Sequence, residues 1–302
     1  MALFNNASFH TCHESTGKEF ESCLPIQWQS INRITTLNDP HLLLDVSNGI
    51  ATLTLNQPDR LNALSQQMTD ELLETTGALE RDNNVRCVVL RGTGRAFMAG
   101  GDIKGMHKSL HADRTGHIES MELRVIRAHQ LISQLRRMPK PVLAAVHGAV
   151  AGFGVGLAMA ADLVVARDDT FFLVAYRHIG LTADSGVTHF LPRMLGERKA
   201  LELSLLGNKF PAMEALTAGM INWVISQDHF DDFVQQTAQH LADGPTRALG
   251  RAKQLMRSSF DNTWDQQSHR EAESIAFAAA TEDHLEGVRA FVEKRKAQFT
   301  GN

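Results

Sequence analysis

The sequence predicts an α/β fold of repeated strand–strand–helix units, finished by a run of helices. Three features predict it. Apolar, β-type runs near residues 42–56, 85–90, 141–146, 163–166 and 171–174 alternate with amphipathic helical stretches. Glycines gather just after two of those runs, where a chain has to turn tightly: Gly100 and Gly101 after the first, Gly152, Gly154 and Gly156 after the second. From about Asp228 onward the pattern is helical only.

In chain order, residues 1–40 show no sustained periodicity and mix polar residues with Phe20, Leu24, Ile26 and Trp28. They read as a loosely ordered extension, or as an arm that contacts a partner. Residues 42–46 and 50–56 flank Asn48 and Gly49, the dipeptide that favours a two-residue hairpin turn. Residues 59–64 lead into a helix capped by Ser65, with Met68, Leu72, Leu73 and Leu79 on its apolar side. Residues 85–90 form a buried strand. Residues 107–117 carry Lys108, Asp113, Arg114 and the histidines His107, His111 and His117, and read as a mobile loop. A helix over 118–138 follows, its apolar side carrying Met121, Val125, Ala128, Ile132 and Leu135. Pro139 and Pro141 end it and set up a central strand. Breaks near Asp243, Gly244 and Pro245, and near Asp261 and Asn262, divide the later helices. The chain thus divides into an extension (1–40), a strand–helix core (41–227) and a helical region (228–302).

With 302 residues, 43% of them apolar and 21% charged, the chain can bury a substantial core and is not disordered throughout. A net charge of −4 and a pI near 6.4 argue against nucleic acid or an anionic membrane as the main partner. The three cysteines, Cys12, Cys23 and Cys87, form no disulfide framework, so a reducing cytoplasm suits the chain. No apolar run approaches the roughly 20 residues that span a bilayer. The first forty residues lack the apolar segment of a secretory signal, and Glu14, Glu19 and Glu21 make them a poor transit peptide.

Residues 144–166 organise the rest. A strand passes through His147 and Gly148 into Gly152, Phe153, Gly154 and Gly156, then a short helical run over 157–161 and a second strand over 163–166. Glycines before a helix let another group approach the backbone. The first N–H groups of that helix have no internal partner and suit an anion or a carbonyl oxygen that gains charge. The same glycines also suit tight strand–helix packing with no ligand. A dinucleotide site is the poorer fit, because the spacing is G-x-G-x-G and no acidic residue follows a second strand at the usual distance.

A second stretch, Phe97, Ala99, Gly100, Gly101, Asp102 and Ile103, follows the strand over 85–91. Taken in order, the two stretches resemble the motifs of the enoyl-CoA hydratase/isomerase (crotonase) superfamily. The resemblance runs from about His41 to the C-terminus and includes the ending from Ala290 to Ala297. It implies a crotonase-type spiral of strand–strand–helix units with a helical C-terminal region that assembles trimers or dimers of trimers. It implies an acyl-CoA substrate, whose thioester carbonyl is held by the backbone N–H groups of Gly101 and Phe153. The coenzyme A moiety is then expected along Arg60, Asn62, Ala63 and Leu64 and along Ala99, Gly100, Asp102 and Ile103. Lys294 is expected near the phosphates, although it also fits a solvated basic face. The thioester is the substrate, so no further cofactor and no metal are implied.

The departure from the family is informative. Hydratases of the family place one glutamate in the helix after the glycines and a second about twenty residues on. Those positions hold Gly156 and Tyr176 here. Adding water across a double bond needs one group to activate water and another to deliver a proton. Asp184, followed by Ser185 and Gly186, matches the place where several isomerases of the superfamily carry their acid/base aspartate. It also fits an N-cap for the helix running to Met194. The resemblance therefore points to a double-bond-shifting isomerase with Asp184 as acid/base. Three alternatives stay open: a hydratase or dehydratase whose second group is Tyr176 or a histidine, an enzyme using Asp184 as a nucleophile as the superfamily's dehalogenases do, and a catalytically silent acyl-CoA-binding protein. Among the histidines, His147 reads as a turn residue and His107 as a loop residue, with His178 a further candidate.

Overall fold

The computed structural model describes residues 40–302; the expected extension lies, apart from Pro40, outside the described residues. The described part begins with the hairpin β1 (Leu42–Ser47) and β2 (Ile50–Leu55), a 3-10 turn at Pro58–Arg60 and helix α1 (Gln66–Arg81). Then come β3 (Cys87–Gly92), β4 (Ala96–Met98), α2 (Ile103–Ala112) and α3 (Arg114–Arg137). The next unit is β5 (Val142–Val146), β6 (Ala149–Ala151) and α4 (Phe153–Ala160). A third unit is β7 (Leu163–Arg167), β8 (Phe171–Leu173), a 3-10 turn at Ala175–Ile179 and α5 (Val187–Leu206). The chain continues through β9 (Phe210–Pro211), α6 (Ala212–Thr217) and β10 (Trp223–Ile225). It closes with α7 (Gln227–Ala242), α8 (Thr246–Ser258), α9 (Trp264–Ala279) and α10 (Glu282–Glu293).

Six strands form one sheet in the order β1-β2-β3-β5-β7-β10, and four form a second in the order β4-β6-β8-β9. Apart from the β1–β2 hairpin the large sheet is parallel. In the small sheet β4, β6 and β8 are parallel, and β9 runs against β8. In each unit the chain leaves a long strand of the large sheet, enters a short strand of the small one and then turns into a helix. This is the strand–strand–helix repeat expected from the sequence.

The hairpin follows from its turn. Asn48 and Gly49 both take positive φ, +50° and +77°, as a two-residue turn between right-twisted strands requires. Ser65 caps α1, its side chain accepting from the Met68 amide at 3.1 Å. The middle of the large sheet is buried on both faces, which is why β3 and β5 read as continuous apolar runs and not as alternating ones, while the edge strand β1 is largely exposed. Leu53, Val88, Leu90, Ala144 and Val164 face one core with Met68, Leu72, Leu131 and Leu135 of α1 and α3. Ile50, Cys87, Val89, Leu143, Ala145 and Val165 face another, covered by Phe230, Val234, Ala238 and Ala242 of α7. Helix α7 is thus part of the sheet's packing.

Two expectations need correction. Residues 107–117 are not a loop: α2 runs to Ala112, and Asp113 caps α3 by accepting from the Gly116 amide, so that helix starts at Arg114. No residue of α2 is buried, but Ile103, Met106 and Leu110 do recur at helical spacing; the stripe begins before His107 and thins out in the polar stretch from His107 onward. Nor does the Asp184 carboxylate cap α5. Gly186 is the N-cap, with no side-chain cap, and only the backbone carbonyl of Asp184 is used, by the Val187 amide.

The last helices are tied back by charge. Lys253 and Arg257 of α8 reach the two oxygens of Asp162 at 2.8 and 2.7 Å, and Asp162 also accepts from the Val142 amide. Arg86 donates to the carbonyls of Gly244 and Phe299. Even so, α8–α10 and the turn between α8 and α9 leave Met256, Phe260, Trp264, Ile275, Phe291 and Val292 more than two-thirds exposed, at 72–85%. No helix among the described residues is long and apolar enough to cross a membrane.

Candidate active site

A cavity of about 410 Å³ opens beyond the carboxyl ends of β4, β6 and β8. Its walls come from the turn after β4, from α2 and α3, from the first residue of α4, and from the segment between the Ala175–Ile179 turn and Asp184. Ligands in open parallel sheets bind at strand carboxyl ends, because loops and helix N-termini converge there.

The turn after β4 is aligned by residues 61–64. Leu64 N donates to Gly100 O at 2.8 Å, Asp102 N to Leu64 O at 3.3 Å and Ala99 N to Leu61 O at 2.9 Å. In this parallel bridge the N–H of Gly101 points away from Leu64. Gly152 precedes α4 with φ +52°, and Gly100 has φ +97°. A Cβ on Gly152 would lie 3.2 Å from the Gly100 Cα, so the two turns abut backbone to backbone. Phe153 opens α4, where its N–H has no acceptor within the helix, and its side chain is buried in the main core. Among the described residues, neither the Gly101 nor the Phe153 amide is used in a turn or loop hydrogen bond. The glycines also serve packing: a Cβ on Gly154 would meet Met98 O at 2.6 Å, and one on Gly156 would meet Ser185 Oγ at 2.1 Å.

The same cavity is lined by the chain's single tyrosine. The Tyr176 hydroxyl donates to Asp184 Oδ1 at 2.5 Å and lies 3.2 Å from Ser185 Oγ. Burial first, then the charge of Asp184 and its hydrogen bond, push the phenol above its ordinary pKa, so it is a fixed donor to the carboxylate. Among the described residues that line the cavity, Asp184 carries the one carboxylate. The remaining lining is mostly apolar, with Ile103, Met106, Met121, Val125, Ile179 and Leu181.

The sequence-derived candidates divide accordingly. Gly101, Phe153, Tyr176, Asp184, Leu64, Ala99, Gly100 and Ile103 line the cavity; Arg60, Asn62, Ala63, Asp102 and Lys294 do not. Asn62 is fully buried and holds its own turn, accepting from Gln57 N at 2.7 Å and donating to Thr93 O and Ala96 O at 2.9 Å. Asp102 caps α2 through the Gly105 amide. Lys294 closes α10 in a left-handed conformation, with an exposed side chain. His147 bonds to the Gly94 carbonyl away from the cavity, and burial lowers its pKa. His107 is exposed against His111. His178 lines the cavity with its Nε2 on the Gly207 carbonyl.

Sequence reasoning missed His129 and Arg124, both on the cavity wall. His129 accepts from the Ser185 amide through Nε2 at 3.0 Å. It falls four residues after Val125 and eight after Met121, on the side of α3 already read as apolar, and that placement was the available signal.

Comparison with known proteins gives the family. The family model for enoyl-CoA hydratase/isomerase matches residues 45–302. The chain is 40% identical over 261 residues to a 1,2-epoxyphenylacetyl-CoA isomerase of Escherichia coli, covering 86% of this chain and 98% of the relative. It is 31% identical to a trans-2-decenoyl-[acyl-carrier-protein] isomerase of Streptococcus mutans, covering 86% and 98%, and 32% identical to a 4-chlorobenzoyl coenzyme A dehalogenase of Arthrobacter, covering 79% and 85%. Among solved structures, an enoyl-CoA hydratase of Mycobacterium smegmatis superposes with a TM-score of 0.80 at 32% identity, covering 86% of this chain and 99% of that one. With the spiral, the paired backbone amides and the match over nearly all described residues, this chain belongs to the enoyl-CoA hydratase/isomerase family and is an acyl-CoA-processing enzyme of the crotonase fold.

Proposed function

We propose that the protein is an enoyl-CoA isomerase that moves a double bond along an acyl-CoA thioester through an enolate. One observation carries the reading. Asp184 is the one carboxylate among the described residues lining the cavity that it shares with Gly101 and Phe153; by the family resemblance, the positions of the two hydratase glutamates fall on Gly156 and Tyr176. In this reading Asp184 takes a proton from the carbon next to the thioester carbonyl, and the electron pair moves onto the carbonyl oxygen. The two amides stabilise that charge, each by about 2.7–4 kcal/mol in a site that excludes water. Asp184 then returns the proton two carbons along, and the double bond ends beside the carbonyl. One base suffices, because the same proton is taken and given back. The apolar wall suits an acyl chain or ring, and the thioester is the substrate, with no cofactor in the cycle.

A hydratase would need a second proton carrier, Tyr176 or one of the histidines on the cavity wall, His129 or His178. The phenol stands close enough to Asp184 to pair with it, but its raised pKa opposes giving up its proton. Incubating the enzyme with 3-enoyl-CoA and with 2-enoyl-CoA separates the readings. Double-bond movement without added water is the expected result; a 3-hydroxyacyl product overturns it in favour of hydration, and binding without turnover in favour of a silent protein. The exposed apolar side chains of α8–α10 support assembly into a trimer, or a dimer of trimers, through those helices.

A further inference from the structure

Ser185 stands between Asp184 and the start of α5 in a conformation that residues with a Cβ rarely hold. Its φ is +52° and it is fully buried. Such a backbone persists only where the surroundings over-determine it. Three neighbours do so here. Gly156 of α4 leaves room beneath it, since a Cβ there would overlap Ser185 Oγ and come 2.3 Å from Ser185 O. The Tyr176 hydroxyl lies 3.2 Å from Ser185 Oγ on one side and bonds Asp184 on the other. The third neighbour is His129, 56 residues away in sequence, whose Nε2 accepts the Ser185 amide at 3.0 Å.

A backbone N–H can only donate, so Nε2 is the unprotonated ring nitrogen and the proton of the neutral imidazole is assigned to Nδ1. Buried amides usually go to carbonyls of their own element or a neighbouring one. Here the amide adjoining the candidate acid/base is satisfied instead by a side chain of α3, 56 residues away in sequence. We propose that His129 is a positioning residue for the proton transfer. By accepting from Ser185 it holds the left-handed backbone, and through that backbone it sets where the Asp184 carboxylate meets Tyr176 and the bound thioester. The inference rests on the reading of Asp184 as the acid/base and adds a residue to it.

The test compares His129→Leu, which removes the acceptor, with His129→Gln, whose amide oxygen can accept at similar reach but cannot carry a proton. His129→Leu should lose about 10²-fold in kcat, the scale of a small misplacement of a reacting group, with KM nearly unchanged. His129→Gln should recover most of that loss. Because the chain has one tyrosine, labelling the tyrosine Cζ with carbon-13 gives a single resonance that reports the Tyr176–Asp184 contact. It should move in His129→Leu and stay in place in His129→Gln. A His129→Leu enzyme with normal kcat and an unmoved resonance overturns the proposal. An inactive His129→Gln overturns it as well, because His129 would then be a proton carrier; this holds even if His129→Leu does not fold. Asp184→Asn assayed alongside keeps the two readings apart. If it stays active, the acid/base assignment fails; if it is inactive while His129→Leu is fully active, only the present inference fails.

Discussion

The Tyr176 hydroxyl lies 2.5 Å from Oδ1 of Asp184, eight residues further along the chain. The bond fixes one oxygen of the carboxylate in a cavity that Gly101 and Phe153 also line. Asp184 caps no helix because the N-cap of α5 is Gly186, two residues further on.

Asp184→Asn should lower kcat by about 10²–10⁴, the usual contribution of a positioned general base. Thermal unfolding should change little, because the carboxylate caps no helix and asparagine can still accept from Tyr176 through its oxygen. Near-normal turnover of this variant would move the chemistry elsewhere.

Tyr176→Phe removes a donor from the carboxylate without removing the base. The expected loss in kcat is about 10–100-fold, the worth of one hydrogen bond to a charged group. If Tyr176→Phe abolishes turnover while Asp184→Asn keeps it, the phenol is the proton carrier and the hydratase reading gains.

Alkaline titration gives a prediction with a definite sign. Burial and Asp184 raise the Tyr176 pKa above the ordinary 10.0. The folded chain therefore keeps a proton that the unfolded chain releases at higher pH. This group's contribution to stability is fully present below pH 10.0 and is lost as pH rises above that value toward the folded pKa. With a single tyrosine, the phenolate absorbance band should appear only together with loss of helical circular dichroism. A native protein whose tyrosine titrates at its ordinary pKa would contradict the buried contact.

Gly156→Ala tests the packing under Ser185. Alanine favours a helix by about 1 kcal/mol over glycine, but overpacking a core costs about 1–3 kcal/mol. The new Cβ would overlap Ser185 Oγ, and it would also press on backbone, coming 2.3 Å from Ser185 O. Both a lower melting temperature and a lower kcat are expected. An unchanged kcat would mean that Ser185 moves without carrying Asp184 with it.

The exposed apolar residues of the C-terminal helices, among them Trp264 at 77% and Ile275 at 72%, make an isolated chain a poor end state in water. Sedimentation at micromolar concentration should show a trimer or a multiple of it. A monomer would remove the assembly proposal.

Much of this molecule is written locally. Asn48 and Gly49 specify their hairpin, Ser65 its helix start, and the apolar runs of β3 and β5 strands buried on both faces, because each depends on backbone preferences within a few residues. The oxyanion candidates were legible for the same reason. A backbone N–H is placed by the turn around it, and the glycines at 100 and 152 announce those turns.

Side chains brought together from distant segments were not legible. Helix α2 hid because its apolar stripe, Ile103, Met106 and Leu110, straddles the glycine-rich turn motif and the polar stretch after it, and Asn62 and Asp102 resembled ligand positions while serving their own turn and cap. The aspartate could be named from its motif, but its partners follow from the spiral. Stacking β4, β6 and β8 brings the segment after β8 against α3 and places His129 beside Ser185 across 56 residues. A side chain's chemistry depends on what faces it across the cavity. That is set by the order in which the strands stack, and local sequence carries no record of it.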